Sequence, residues 1–242
     1  MSNINVGSGR VQLFVLPFAG GNSSSFNKLL QFVDEHIEVI QIEYSGRRTR
    51  LDEELITDYG KFVDDVVQQI NLYRNSRGEF AVFGYSLGSV LTYDILREGM
   101  IRGKPVHAFM CAKGSLSRRH EGMDYGCLPE EEFSGKMKDL GGIDERILKN
   151  KRFLDIYLIP VRSDYKVLSG FSFHAGKIPC DISAIYSPED PLCYEVEEME
   201  SITSGRIKLF PMGDNHFFIN NHWQDVANII NEQLGKYMEQ QG

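Results

Sequence analysis

The stretch Phe80-Ala81-Val82-Phe83-Gly84-Tyr85-Ser86-Leu87-Gly88-Ser89-Val90-Leu91 decides how this chain is read. Its first four residues form a short apolar run, as a buried strand should. Gly84 to Gly88 spell G-x-S-x-G. From Ser86 to Leu96 apolar residues then recur at helical spacing. Strand, tight turn and helix are the context in which G-x-S-x-G forms a nucleophile elbow. The glycines have a steric reason. The serine sits on a sharp, strained turn, and side chains at the flanking positions would collide with the neighbouring strand or helix. The hydroxyl then projects at the end of a sheet, beside a helix N-terminus that supplies backbone N–H groups and a positive dipole.

Outward from the elbow, further apolar runs lie at Val11–Leu16, Val39–Tyr44, His107–Cys111, Ile182–Tyr186 and Ile207–Phe210. Helical patterns stand between them. Phe26, Leu29, Leu30 and Val33 share one face, as do Tyr59, Phe62, Val63, Val66, Val67 and Ile70. Val226–Tyr237 closes the series. Alternation of this kind predicts an α/β fold, a mostly parallel sheet flanked by helices on both faces. Ser115–Gly176 breaks the rhythm. It holds no convincing strand but has helix-like pieces at Pro129–Leu140, Asp144–Lys149 and Phe153–Ile159. The expected organisation is a core of residues 1–114 and 176–242, with residues 115–175 as a mobile helical lid over the ligand end of the sheet.

Composition narrows the classes. The chain has 242 residues, 42% hydrophobic and 25% charged, which fits one large globular unit and excludes a disordered chain or a rod. The net charge of −8 argues against wholesale binding of nucleic acid. Cys111, Cys127, Cys180 and Cys193 have neither C-x-x-C spacing nor histidines at zinc-finger intervals, so reduced thiols and no metal are expected. Residues 1–10 are polar and glycine-rich, unlike a signal peptide, and no run is long and apolar enough for a membrane helix. A cytoplasmic, monomeric protein without membrane association is expected.

A serine hydroxyl needs a base. Of the six histidines, His216 alone follows the last strand directly, level with Ser86. His107 lies inside a strand and reads as a core group. His36 and His222 sit at helix edges, and His120 and His174 at the margins of the insertion. Chain order in the elbow fold runs serine, acid, histidine. Asp190, after the strand ending at Tyr186, fits. Glu189 is one step off, Asp181 starts that strand at the wrong end, and Asp214 reads as a turn residue. The oxyanion of an acyl-transfer intermediate needs two donors. Leu87 N–H is one. Ala19 N–H, in the loop Pro17-Phe18-Ala19-Gly20-Gly21, is the other, with Phe18 as its alternative.

Several of these segments together resemble type II thioesterases, the free-standing editing enzymes of polyketide and nonribosomal peptide assembly lines. They are the 17–21 loop, the elbow, Asp190-Pro191 and Gly213-Asp214-Asn215-His216-Phe217-Phe218. In the insertion, Leu128–Phe133 with Leu140-Gly141-Gly142, and Ile159–Tyr165, resemble the family's lid ends. Tyr44-Ser45-Gly46-Arg47 resembles its loop after the second strand. Tyr85 and Leu87 depart from the usual His and Met of the elbow. The resemblance implies an α/β-hydrolase fold with a helical lid. It implies a Ser86–His216–Asp190 mechanism that needs no cofactor and releases acyl groups from the phosphopantetheine arm of carrier proteins. An esterase of free small esters, or a silent binding protein on the same fold, are the alternatives. Because carriers of this kind are acidic, the resemblance also implies a basic docking face, offered by Arg47, Arg48 and Arg50 and by Arg118 and Arg119.

Overall fold

A computed structural model describes residues 11–75, 78–117, 121–141, 143 and 145–238. Arg118, Arg119 and His120 lie outside the described residues. Six strands, β1 (Val11–Leu16), β2 (Ile37–Gln41), β3 (Phe80–Tyr85), β4 (Pro105–Cys111), β5 (Asp181–Tyr186) and β6 (Ile207–Pro211), form one sheet. Their order is β2-β1-β3-β4-β5-β6, and every pairing is parallel.

The inner strands β1, β3, β4 and β5 are apolar runs buried on both faces, as a parallel sheet demands, whereas the edge strands β2 and β6 are partly exposed. Phe14, Leu16, Phe80 and Val82 point to the face covered by α1 (Tyr59–Tyr73) and α2 (Leu87–Arg97). Leu13, Val15, Phe83 and Tyr85 point to the face covered by α6 (Trp223–Met238). Asp58 caps α1, its carboxylate accepting the Lys61 N–H at 2.9 Å. Between β4 and β5 the chain forms a 3-10 stretch (Glu121–Cys127), α3 (Glu130–Leu140), α4 (Glu145–Leu148) and α5 (Lys151–Ser169). No helix among the described residues is long and apolar enough to cross a membrane.

Three expected elements differ most from the structure. The helix expected around Phe26–Val33 is a run of turns with a 3-10 helix at Leu29–Gln31. Asn22 and Ser25 take the local backbone: Asn22 N–H donates to Ser25 Oγ at 2.9 Å, and Asn22 Oδ1 accepts from Ser24 N–H at 2.9 Å. Such side-chain bonds compete with helix formation. The strand expected at Val39–Tyr44 instead begins at Ile37 and ends at Gln41, where its register against β1 ends. The helix expected to stop at Ile159 continues through Pro160 to Ser169. Tertiary packing overrides the proline: Val161, Leu168 and Tyr165 are buried, and Arg162 donates to Leu128 O at 2.7 Å.

His107 is a buried core group, its Nε2 2.9 Å from Ser183 Oγ. Burial lowers its pKa from 6.5 to about 4, with nearby Asp181 opposing. Between these values the unfolded chain binds a proton that the folded chain refuses. Stability therefore falls as pH drops through that window and levels off below it. The shift corresponds to about 3 kcal/mol. His107→Gln is expected to flatten the slope of unfolding free energy against pH over about pH 6.5 to 4, measured by urea titration. An unchanged slope would assign the dependence elsewhere.

Candidate active site

The sheet delivers its chemistry at the strands' carboxyl ends. Ser86 follows β3 and caps α2 with φ 54° and ψ −106°, a strained conformation for any side chain. The strain is held from several sides. Ser86 N–H donates to Cys111 O at 2.8 Å. Ser89 Oγ lies 2.8 Å from both Gly84 O and Cys111 O.

The loops after β5 and β6 bring the partners. His216 Nε2 lies 3.0 Å from Ser86 Oγ, and its Nδ1 lies 2.6 Å from Asp190 Oδ2. An ionised carboxylate only accepts, so His216 carries its proton on Nδ1 and offers Nε2 to the serine hydroxyl. All three side chains are buried. Burial alone would raise the Asp190 carboxyl. The hydrogen bond and charge of His216, the Leu192 N–H and the Cys193 thiol outweigh it and hold the group below its ordinary value. Leu192 N–H donates to Asp190 Oδ1 at 2.9 Å, and Cys193 Sγ to Oδ2 at 3.1 Å. Glu189 is exposed. Asp181 sits at the opposite end of β5, paired with Arg206 at 2.9 Å. Asp214 is the turn residue expected, at φ 72°. His222 pairs with Asp225 at 3.0 Å.

Leu87 opens α2, so its amide has no carbonyl one turn back. Ala19 lines the same cavity as Ser86 and sits in a turn closed by Gly21 N–H to Phe18 O at 2.8 Å. Ala19, Ser86, Leu140, Val161, His216 and Phe217 enclose a cavity of about 20 Å³, room for about one water. Wider recesses of about 580 and 640 Å³ open at the far end of the sheet, near His107 and Arg74, away from Ser86.

The docking arginines fare differently. Arg47 is buried, not surface-displayed: its Nη2 pairs with Asp164 Oδ1 at 2.5 Å, and both side chains are nearly inaccessible. Arg50 is taken by Asp65 at 2.7 Å and by Glu53 at 2.5 Å. Arg48 is exposed and donates to Ser23 Oγ at 3.1 Å. Sequence reasoning missed four residues around the site: Cys193, Asp164, Lys113 and the anchoring role of Tyr85. Burial lowers the Lys113 pKa to about 8, with Cys193 and Asp190 opposing. The Tyr85 hydroxyl donates to His216 O at 2.7 Å. Its ring packs against Phe18, Phe26, Phe217 and Phe218.

The arrangement sets a serine hydroxyl against an imidazole that can take its proton, beside a small, mostly apolar cavity. Comparison with known proteins follows the same line. The family described as Thioesterase domain matches residues 11–234. Thioesterase PikA5 of Streptomyces venezuelae is 27% identical over 229 residues, covering 93% of this chain and 81% of its own. Gramicidin S biosynthesis protein GrsT of Aneurinibacillus migulanus is 28% identical over 240 residues, covering 96% and 92%. The crystal structure of ClbQ from the colibactin NRPS/PKS pathway superposes with a TM-score of 0.85 at 24% identity, covering 96% of this chain and 100% of that one. That likeness establishes the fold.

Proposed function

This chain belongs to the thioesterase family, and from that premise we propose that it is a type II thioesterase that hydrolyses acyl groups from the phosphopantetheine arm of carrier proteins in polyketide or nonribosomal peptide synthesis. The observation that carries the reading is the chain of hydrogen bonds from Ser86 through His216 to Asp190, at 3.0 and 2.6 Å, opening on a small apolar cavity. The names of PikA5 and GrsT support the biosynthetic setting.

In this reading Ser86 Oγ attacks the thioester carbonyl while His216 Nε2 takes the hydroxyl proton. The Ala19 and Leu87 amides hold the oxyanion. As the intermediate collapses, the carbon–sulfur bond breaks and His216 returns the proton to the departing thiolate. Water, deprotonated by His216, then attacks the acyl-serine; the bond from the acyl carbon to Ser86 Oγ breaks, the free acid leaves, and His216 returns the proton to Ser86 Oγ. Residues 115–175 act as the lid. Leu140 and Ile143 already line the cavity, and Leu154 and Leu158 pack behind them. With room for about one water, the closed lid admits a long acyl chain only by lifting.

The test compares three substrates bearing one acyl group: the acyl-carrier thioester, the same acyl on a short soluble thiol, and its oxygen ester. Binding energy from the carrier is expected to raise kcat/KM by at least about tenfold over the small thioester. The ester should be slower still. An ester turned over as fast as the carrier thioester would make the chain an esterase. No turnover, with no labelling of Ser86 by a serine-reactive phosphonate, would make it a binding protein.

A further inference from the structure

We propose that Asp164, on α5, is a positioning residue for the oxyanion-binding turn: one buried carboxylate holds the Gly20 amide and the Arg47 guanidinium together, so the turn is set only while α5 is seated. The proposal rests on the reading of Ser86 as nucleophile.

Asp164 is fully buried. Its Oδ2 accepts the Gly20 N–H at 2.6 Å, and its Oδ1 accepts Arg47 Nη2 at 2.5 Å. Gly20 is the third residue of the turn closed by Phe18 O and Gly21 N–H, and its φ of 80° is the left-handed value such a turn needs at that place. The Ala19–Gly20 peptide at the centre of a β-turn can face either way, and the two faces define two turn types. A carboxylate waiting on one side selects the orientation that presents N–H to it. The turn then aims Ala19 at the cavity.

Contact reinforces the bond. A Cβ on Gly20 would lie 2.4 Å from Val161 Cγ2, so α5 rests directly on the turn. Arg47 also reaches Pro160 O at 3.4 Å. Its guanidinium lies 5.3 Å from the Tyr44 ring centroid, and the Tyr44 hydroxyl donates at 2.8 Å to the carbonyl of Pro17, the residue just before the turn. One network therefore runs from α5 through two core loops to the candidate oxyanion donor. Lifting α5 withdraws the acceptor from Gly20, so acyl entry and oxyanion stabilisation are coupled.

Two paired variants test this, because removing one charge alone strands the other in the interior. Arg47→Met with Asp164→Leu keeps the shape and removes the acceptor. Arg47→Met with Asp164→Asn keeps an amide oxygen for Gly20. The leucine pair is expected to lose about 100-fold in kcat with KM little changed, and the asparagine pair to recover most of that. Equal activity in the two pairs, whether high or low, would overturn the proposal. Should the leucine pair not fold, hydrogen exchange on the unaltered protein decides. The Gly20 amide is expected to exchange together with the α5 amides, and a Gly20 amide exchanging independently of α5 would overturn the proposal. Phosphonate labelling separates the two readings. An unlabelled, inactive unaltered protein would sink the nucleophile assignment. A labelled, active one whose leucine pair keeps its kcat would sink only the positioning role.

Discussion

Ser86→Ala is expected to abolish thioester hydrolysis, lowering kcat by about 10⁶-fold while the fold stays intact. The hydroxyl sits 3.0 Å from the imidazole that would deprotonate it, and among the described residues no other hydroxyl makes that contact. His216→Ala should be comparably severe, since in the proposed mechanism nucleophile and base act as one unit. Asp190→Asn is expected to cost less, about 10⁴-fold, because in that mechanism the carboxylate orients the ring and stabilises its charge without touching the acyl group. Release of free thiol from an acyl-carrier substrate measures all three, with circular dichroism to verify folding. Near-normal turnover by a folded Ser86→Ala protein would refute the mechanism.

Gly88→Ala is expected to have a large effect on stability. A Cβ there would sit 2.1 Å from Leu16 O and 2.8 Å from Leu16 C, both backbone atoms of a central strand. Neither can rotate aside, so α2 must move off β1. Gly84 is as tightly held, with a Cβ only 2.2 Å from Gly88 O. Overpacking of this kind costs about 3 kcal/mol, or about 10 °C in the thermal midpoint of a chain this size. Gly135 is the contrast. It lies in α3, and nothing stands within 4 Å of its added Cβ. Gly135→Ala should therefore leave the midpoint unchanged or raise it slightly. Calorimetry of the two variants side by side tests the argument. Equal midpoints would mean that the helix can retreat without cost.

These two glycines also show why much of the fold was legible in sequence. The elbow constrains residue type at fixed spacing, so its geometry is written in Gly84, Ser86 and Gly88 themselves. The inner strands were legible because burial on both faces leaves unbroken apolar runs, so β1 and β5 were located to within a residue; the partly exposed edge strand β6 was placed as closely. His216 and Asp190 followed from chain order once the sheet was in place. What could not be read depends on contacts between distant segments. Arg47 was read as a docking charge because its partner stands 117 residues away, on a stretch of α5 beyond the helical piece read at Phe153–Ile159. The turns near Phe26 looked helical because apolar spacing says nothing about Asn22 and Ser25 capturing the backbone. Cys193 carried no motif, and only the fold of the Asp190 loop brings its thiol to the carboxylate.

The phenol of Tyr85 has a consequence for how this sequence can drift over evolutionary time. Its hydroxyl holds the His216 carbonyl at 2.7 Å, and its ring is shared by Phe18, Phe217 and Phe218. A shorter side chain would open a void among its aromatic neighbours and leave a buried carbonyl without its donor. Replacing Tyr85 by histidine alone is therefore expected to cost stability in this background, and changes in the rings of Phe18, Phe217 and Phe218 would have to accompany it.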